Sequence, residues 1–276
     1  MRQEGAGRNR YAVSVSDDDR RVSNAEWRDT LLGTSTQLTR YRRVFRHIPS
    51  DPRCKMCLSP QGGIGAPVMS ALGYGRYPAN PQLCNSCFRE AEKHPGGAEI
   101  EMTALFADIR GSTGLAETMS SAEYSTAVDG YVRTASRAIR EPGGLVDKLL
   151  GDGVMALFIP GFVDSGDHAG AAVAAARAIL RSVRLPIGIG VHTGEAWVGF
   201  VGGVADVVDF TALGDAVNVA ARLGSEAGAG ELLMSASTAT GAKVDTAGLE
   251  ERRLELRGRA EPLDAWAETV SPTEGP

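Results

Sequence analysis

What this 276-residue chain lacks narrows it first. It has no run of about 18 apolar residues, so no membrane-spanning helix is expected. The longest candidate, Ala169 to Leu180, is alanine-rich and interrupted by Arg177. The opening MRQEGAGRNR has no apolar core of the secretory type, and a cytoplasmic protein with no membrane partner is the expectation. Cysteine is scarce: there are four, all between residues 54 and 87. Aromatic residues make up 6%, and few interleave with the arginines of the N-terminal part, so no nucleic-acid partner is expected.

The hydrophobic content of 43% suffices for an ordinary packed core, and the length fits one large or two small domains. The net charge of −5 is unevenly spread. Residues 1–97 hold 15 Lys+Arg against 9 Asp+Glu, and the remainder 14 against 25. Two parts with different surfaces are implied, with a boundary near Pro95-Gly96-Gly97. The expected organisation is a disordered tail over 1–22, a helical, cysteine-paired domain over 23–97, a larger domain over 98–270 and a tail over 271–276.

In the N-terminal part, Ser23 or Asn24 can cap a helix carrying Trp27 and Leu31 on one face. A second helix places Leu38, Tyr41 and Phe45 together, with Arg42, Arg43 and Arg46 elsewhere. The cysteines follow as Cys54-Lys55-Met56-Cys57 and Cys84-Asn85-Ser86-Cys87. In a chain expected to be cytosolic such pairs read as metal ligands rather than disulfides. Two C-x-x-C turns complete a tetrahedral thiolate shell, and a loop-rich knuckle with little core needs that staple. Structural zinc is the leading assignment; an iron–sulfur cluster and unmetallated thiols are the alternatives.

The acidic part alternates strands and helices but contains direct hairpins, so an α+β architecture fits better than a doubly wound sheet. Strands are expected over 102–108, 144–150, 154–159 and 231–234. Helices are expected over about 120–141, 167–184 and 214–225. GIGVHTGEAWVGFVGG reads as a glycine-rich hairpin of strands 187–192 and 196–201, with His192 structural, and a last hairpin is expected through 254–256 and 263–266.

Three segments carry chemistry. MTALFADIRGST, from Met102 to Thr113, is a buried strand ending on Asp108, then a turn into a helix. A carboxylate there can hold a hard divalent cation, and turn N–H groups can hold phosphate. In VDKLLGDGVMALF, glycines flank Asp152 in a tight hairpin turn. If that hairpin lies beside the first strand, Asp108 and Asp152 face each other, and divalent cations would offset the repulsion. In DFTALGDAVNVAARL, Asn218 and Arg222 lie four apart on one helix face, suited to a ribose and a phosphate.

In this order, FADIRGST, VDKLLGDGVMALF, GVHTGEAWVGFVGG and DFTALGDAVNVAARL resemble the motifs of the class III nucleotide cyclase catalytic domain, over roughly residues 100–268. The whole chain also resembles bacterial adenylate cyclases with a C-x-x-C pair domain ahead of the catalytic one. The resemblance implies a ferredoxin-like βαββαβ core sheet with helices, and a signalling enzyme converting ATP to cyclic AMP and pyrophosphate. It implies two Mg2+ or Mn2+ ions on Asp108 and Asp152, helped by the Ile109 carbonyl. Lys148 and Thr211 match the adenine contacts; guanylate cyclases typically carry Glu and Cys there. Asn218 matches the residue that orients the ribose, and Arg222 the one that stabilises the transition state. Arg257, or Arg259 in its place, matches a contact to the terminal phosphates. One subunit would give the aspartates and the other Lys148, Thr211, Asn218 and Arg222, so a head-to-tail homodimer with two sites is implied. Many relatives carry an arginine in the stretch that here reads Val204–Val208, and this chain has none. A catalytically silent nucleotide-binding module and a guanylate cyclase are the alternative readings.

Overall fold

The computed structural model describes residues 17–78, 80–93, 96–201, 209–255 and 261–272. The N-terminal part is built of helices and loops. It comprises α1 (Asp17–Leu32), α2 (Thr36–Phe45), the short α3 (Ala66–Met69) running into a π turn over Ser70–Tyr74, and α4 (Asn85–Lys93). The first helix opens at Asp17, six residues ahead of the expected Ser23; the run Asp17-Asp18-Asp19 is the residue type favoured at a helix N-terminus. Gly33, at φ +76°, ends it, and Ser35 caps α2 by accepting from the Leu38 N–H at 3.4 Å.

The rest is one mixed sheet with helices. In chain order come β1 (Gly97–Ile109), α5 (Ser112–Thr118), α6 (Ser121–Arg140), β2 (Leu145–Leu150), β3 (Gly153–Phe158) and α7 (His168–Ser182). Then follow β4 (Ile187–Val201), β5 (Asp209–Leu213), α8 (Asp215–Glu226), β6 (Glu231–Ser235), α9 (Ala236–Gly241), β7 (Glu250–Leu254) and β8 (Leu263–Thr269). The strands run β2-β3-β1-β4-β6-β8-β7, with β5 added to β4; among the described residues only β4 and β6 are parallel. This is the expected α+β class. A capping box fixes the start of α6: Glu123 N–H donates to Ser120 Oγ at 3.3 Å, and Ser120 N–H to Glu123 Oε2 at 2.9 Å.

Alternation along β1 divides the core. Leu105, Ala107 and Ile109 face α6 and α7, while Ile100, Met102 and Ala104 join the cluster on the other side. That second cluster also holds Trp27, Cys54, Cys57, Cys84, Phe88, Phe200 and Phe210. Phe200 of β4 is the meeting point: its ring centroid lies 5.6 Å from Trp27, 5.5 Å from Phe88 and 5.0 Å from Phe210. Burying each such ring stabilises by about 1.5–3 kcal/mol. The N-terminal part therefore packs on the sheet through the core.

The expected hairpin within residues 187–201 is not formed; β4 is a single 15-residue strand, paired with β1 from Ile187 to Gly199. Its glycines serve close approach rather than a turn. A methyl on Gly190 would lie 2.6 Å from the Ala220 carbonyl oxygen, and one on Gly188 2.6 Å from that of Ala227. Helix α8 thus rests backbone-to-backbone on β4, a contact only glycine admits.

Candidate active site

The structure places Asp108 near enough to Asp152 for the Asp152 charge to act on its carboxyl. Register pairs Ala107 with Val154, so Asp108, at the carboxyl end of β1, lies across from the β2–β3 turn. A Cβ on Gly153 would touch Asp108 Oδ1 at 3.2 Å, which puts the Asp108 carboxylate against the turn holding Asp152. Burial pushes the Asp108 carboxyl up; the Arg110 guanidinium pulls it down, and the Asp152 charge raises it again. Arg110, which the sequence did not single out, donates through Nη2 to Asp108 Oδ2 at 2.6 Å and through Nη1 to the Ser225 carbonyl of α8 at 3.1 Å. It is the counter-charge on a carboxylate pair that otherwise repels. Tyr124 Oη donates to Asp152 Oδ2 at 3.3 Å. Two carboxylates and nearby backbone carbonyls form an all-oxygen donor set that suits Mg2+ or Mn2+.

Lys148 and Thr211, 63 residues apart, are brought together on β2 and β5, with Lys148 Nζ donating to Thr211 Oγ1 at 3.1 Å. Two acids join them. Lys148 Nζ lies 2.5 Å from Asp209 Oδ2, and Thr211 Oγ1 donates to Asp147 Oδ2 at 2.8 Å. A shift in register between Val146 and Lys148 turns Asp147 inward, where its side chain has no exposure and Oδ1 has no hydrogen-bond partner among the described residues. Burial raises the Asp147 carboxyl, opposed by the Thr211 hydrogen bond and the Lys148 charge. The irregularity is clamped from the N-terminal part: Gln82 Nε2 donates to the Val146 carbonyl at 2.6 Å and Val146 N–H to Gln82 Oε1 at 2.9 Å. Asp147 is the one acid inside the apolar run LVDKLL, the signal by which the sequence could have marked it.

On α8, Asn218 is exposed and Arg222 half-buried, and neither side chain has a hydrogen-bond or ion-pair partner among the described residues. Neither shares a hydrogen bond or ion pair with Lys148, Asp108 or Asp152 among the described residues. Arg257, Arg259 and the 204–208 stretch lie outside the described residues. His192 is buried and shares a 2.8 Å hydrogen bond with Ser235 Oγ, the structural role expected of it. Leu149, Leu150 and Leu213, beside Lys148 and Thr211, are each about half exposed.

The four cysteine sulfurs converge: all lie within 4.8 Å of one another, and Cys57 Sγ is 3.6 Å from Cys84 Sγ. Tetrahedral zinc with bonds of about 2.3 Å separates its sulfurs by about 3.8 Å, so the set fits one ion. A polynuclear cluster inserted among the thiolates would spread them further. Cys84 N–H donates to Cys54 Sγ at 3.3 Å and Cys87 N–H to Cys84 Sγ at 3.4 Å, amide contacts that stabilise sulfur charge.

Residues 98–267 match the family described as the adenylate and guanylate cyclase catalytic domain. An adenylate cyclase of Anabaena cylindrica is 39% identical over 135 residues, covering 44% of this chain and 26% of that protein. The chain thus corresponds to about a quarter of that relative's length. Among solved structures, the adenylyl cyclase CyaB from P. aeruginosa aligns with a TM-score of 0.55 at 28% identity, covering 62% of this chain and 94% of that one. The guanylyl cyclase Cya2 aligns with a TM-score of 0.56 at 27% identity, covering 62% and 93%.

Proposed function

Because the chain belongs to the family of adenylate and guanylate cyclase catalytic domains, we propose that it is an adenylate cyclase acting at composite sites between two copies of itself. Its class III cyclase fold is shared with both solved cyclases. The observation carrying the substrate choice is the Lys148–Thr211 pair, joined at 3.1 Å although β2 and β5 do not pair with each other. Together they offer a donor and an acceptor to a purine edge, where a guanylate cyclase would present Glu and Cys.

The reaction joins the ribose 3′-oxygen to the α-phosphorus of ATP, breaks the bond from that phosphorus to the bridging oxygen, and releases pyrophosphate. Asp108 and Asp152, with the Ile109 carbonyl, would hold the divalent cations. Two such ions supply activation of the attacking oxygen and neutralisation of the leaving group. Arg110 donates to one Asp108 oxygen, which it would have to yield to a bound cation. From the second chain, Lys148 and Thr211 would hold adenine. Asn218 would orient the ribose, and Arg222 would offset charge building on the α-phosphate. Arg257 is assigned to the terminal phosphates. The unengaged Asn218 and Arg222 support this division, as do the half-exposed Leu149, Leu150 and Leu213, which a second copy would cover. The cysteine set is assigned a structural zinc.

Incubating the purified dimer with MnATP or MnGTP tests the reading, with cyclic AMP as the expected product. Cyclic GMP instead would assign a guanylate cyclase; no product from either, with the dimer intact, would leave a silent nucleotide-binding module.

A further inference from the structure

Asp147 is a feature that the cyclase reading leaves without a use. A carboxylate with no exposed surface and one oxygen without a hydrogen-bond partner among the described residues is costly to fold around. Service as counter-ion to Lys148 does not account for it. That amine already has the Asp209 carboxylate at 2.5 Å, while Asp147 Oδ2 stands 3.4 Å away. What Asp147 alone supplies is an acceptor for the Thr211 hydroxyl, 2.8 Å from it.

That contact fixes the direction of a hydrogen bond. A threonine hydroxyl has one proton and two lone pairs. A carboxylate can only accept, so the proton is committed to Asp147, and Lys148 occupies one lone pair at 3.1 Å. The remaining lone pair can only accept. Adenine presents an amino donor at C6 where guanine presents a carbonyl acceptor. We propose that Asp147 is a specificity-determining positioning residue: by holding the Thr211 proton it makes that hydroxyl an acceptor for the adenine amino group and rejects guanine. The inference rests on the adenylate cyclase reading and deepens it. A site that opposes acceptor to acceptor discriminates strongly, since the wrong base leaves both groups unpaired.

The test compares kcat/KM for MnATP and MnGTP in the full-length dimer. Asp147→Ala frees the hydroxyl to rotate and should lower the ATP:GTP ratio by about tenfold or more. Asp147→Asn should hold the ratio within about threefold of wild type. Its amide oxygen belongs at the Oδ2 position, where the Thr211 and Lys148 donors converge. Thr211→Val should match Asp147→Ala, and Asp147→Ala added to Thr211→Val should change the ratio no further. The proposal is overturned if Asp147→Ala slows both nucleotides equally, or if it lowers the ratio again without the hydroxyl. Should Asp147→Ala fail to fold, Thr211→Val decides, because a wild-type ratio there also overturns the proposal. A wild-type enzyme with no preference for ATP removes the adenylate cyclase reading itself. A preference untouched in both variants removes only the part given to Asp147.

Discussion

Replacing Arg110 by Met isolates the electrostatics of the acidic pair. Arg110 Nη2 lies 2.6 Å from Asp108 Oδ2, with the side chains 22% and 47% exposed. At an effective dielectric of about 20, opposite charges about 4 Å apart attract by roughly 4 kcal/mol before desolvation and side-chain entropy are charged against them. With exposure of this extent the net contribution falls to about 1 kcal/mol. Losing it should lower the melting temperature of the metal-free protein by about 2–4 °C. The sign with pH follows from burial, which raises the folded carboxyl of Asp108 above its unfolded value. Stability from that group is present below the unfolded pKa and is lost as pH rises through the folded one, so the deficit should be visible at neutral pH. Manganese should reverse it. A ligand at 100 times its dissociation constant adds about 2.7 kcal/mol, and without Arg110 the cation no longer competes for the Asp108 oxygen. Thermal melts in chelator and in MnCl2 measure both effects. A variant that melts with wild type in chelator and gains no more from manganese would show that Asp108 and Asp152 are not one electrostatic unit.

Metal analysis should find about one zinc per chain, and strong chelation should lower the melting temperature by several degrees; iron with visible absorption would overturn the zinc assignment. Asp108→Ala and Arg222→Ala should each lose most cyclase activity, yet a mixture should recover part of it through one repaired composite site. Heterodimers without any recovery would refute shared sites. Gly190→Ala should cost several kcal/mol or prevent folding, because the new methyl meets the α8 backbone. Gly130→Ala, on α6 with open space around the added carbon, should instead stabilise by about 0.5–1 kcal/mol in chemical denaturation.

Local pattern made much of this molecule legible. Alternation and terminal carboxylates mark β1 and the β2–β3 hairpin, and the i, i+4 spacing of Asn218 and Arg222 marks α8. The convergence of Asp108 with Asp152 follows once two hairpin-linked strands are laid beside β1. The misread stretch, 187–201, fails for a physical reason: extended glycines and turn glycines look alike until the helix packed on them is known. Asp147 and Asp209 stayed hidden because their roles arise between elements. Asp147 depends on a register shift held by Gln82, and Asp209 on β5 lying beside β4, which in turn brings Thr211 to Lys148. Pairs formed across more than sixty residues leave no mark at short range.

The seam around Phe200 has a corollary for anyone wishing to shorten this protein. A fragment beginning at Gly97 would satisfy the family boundaries, yet it would strip Trp27 and Phe88 from the Phe200 ring and take Gln82 from Val146. The bared aromatic face invites aggregation, and the hairpin bearing Asp147 and Lys148 would lose its outer brace. The knuckle is thus a buttress for the proposed nucleobase pocket, and on that proposal a truncated chain should misjudge its nucleotide before it loses its shape.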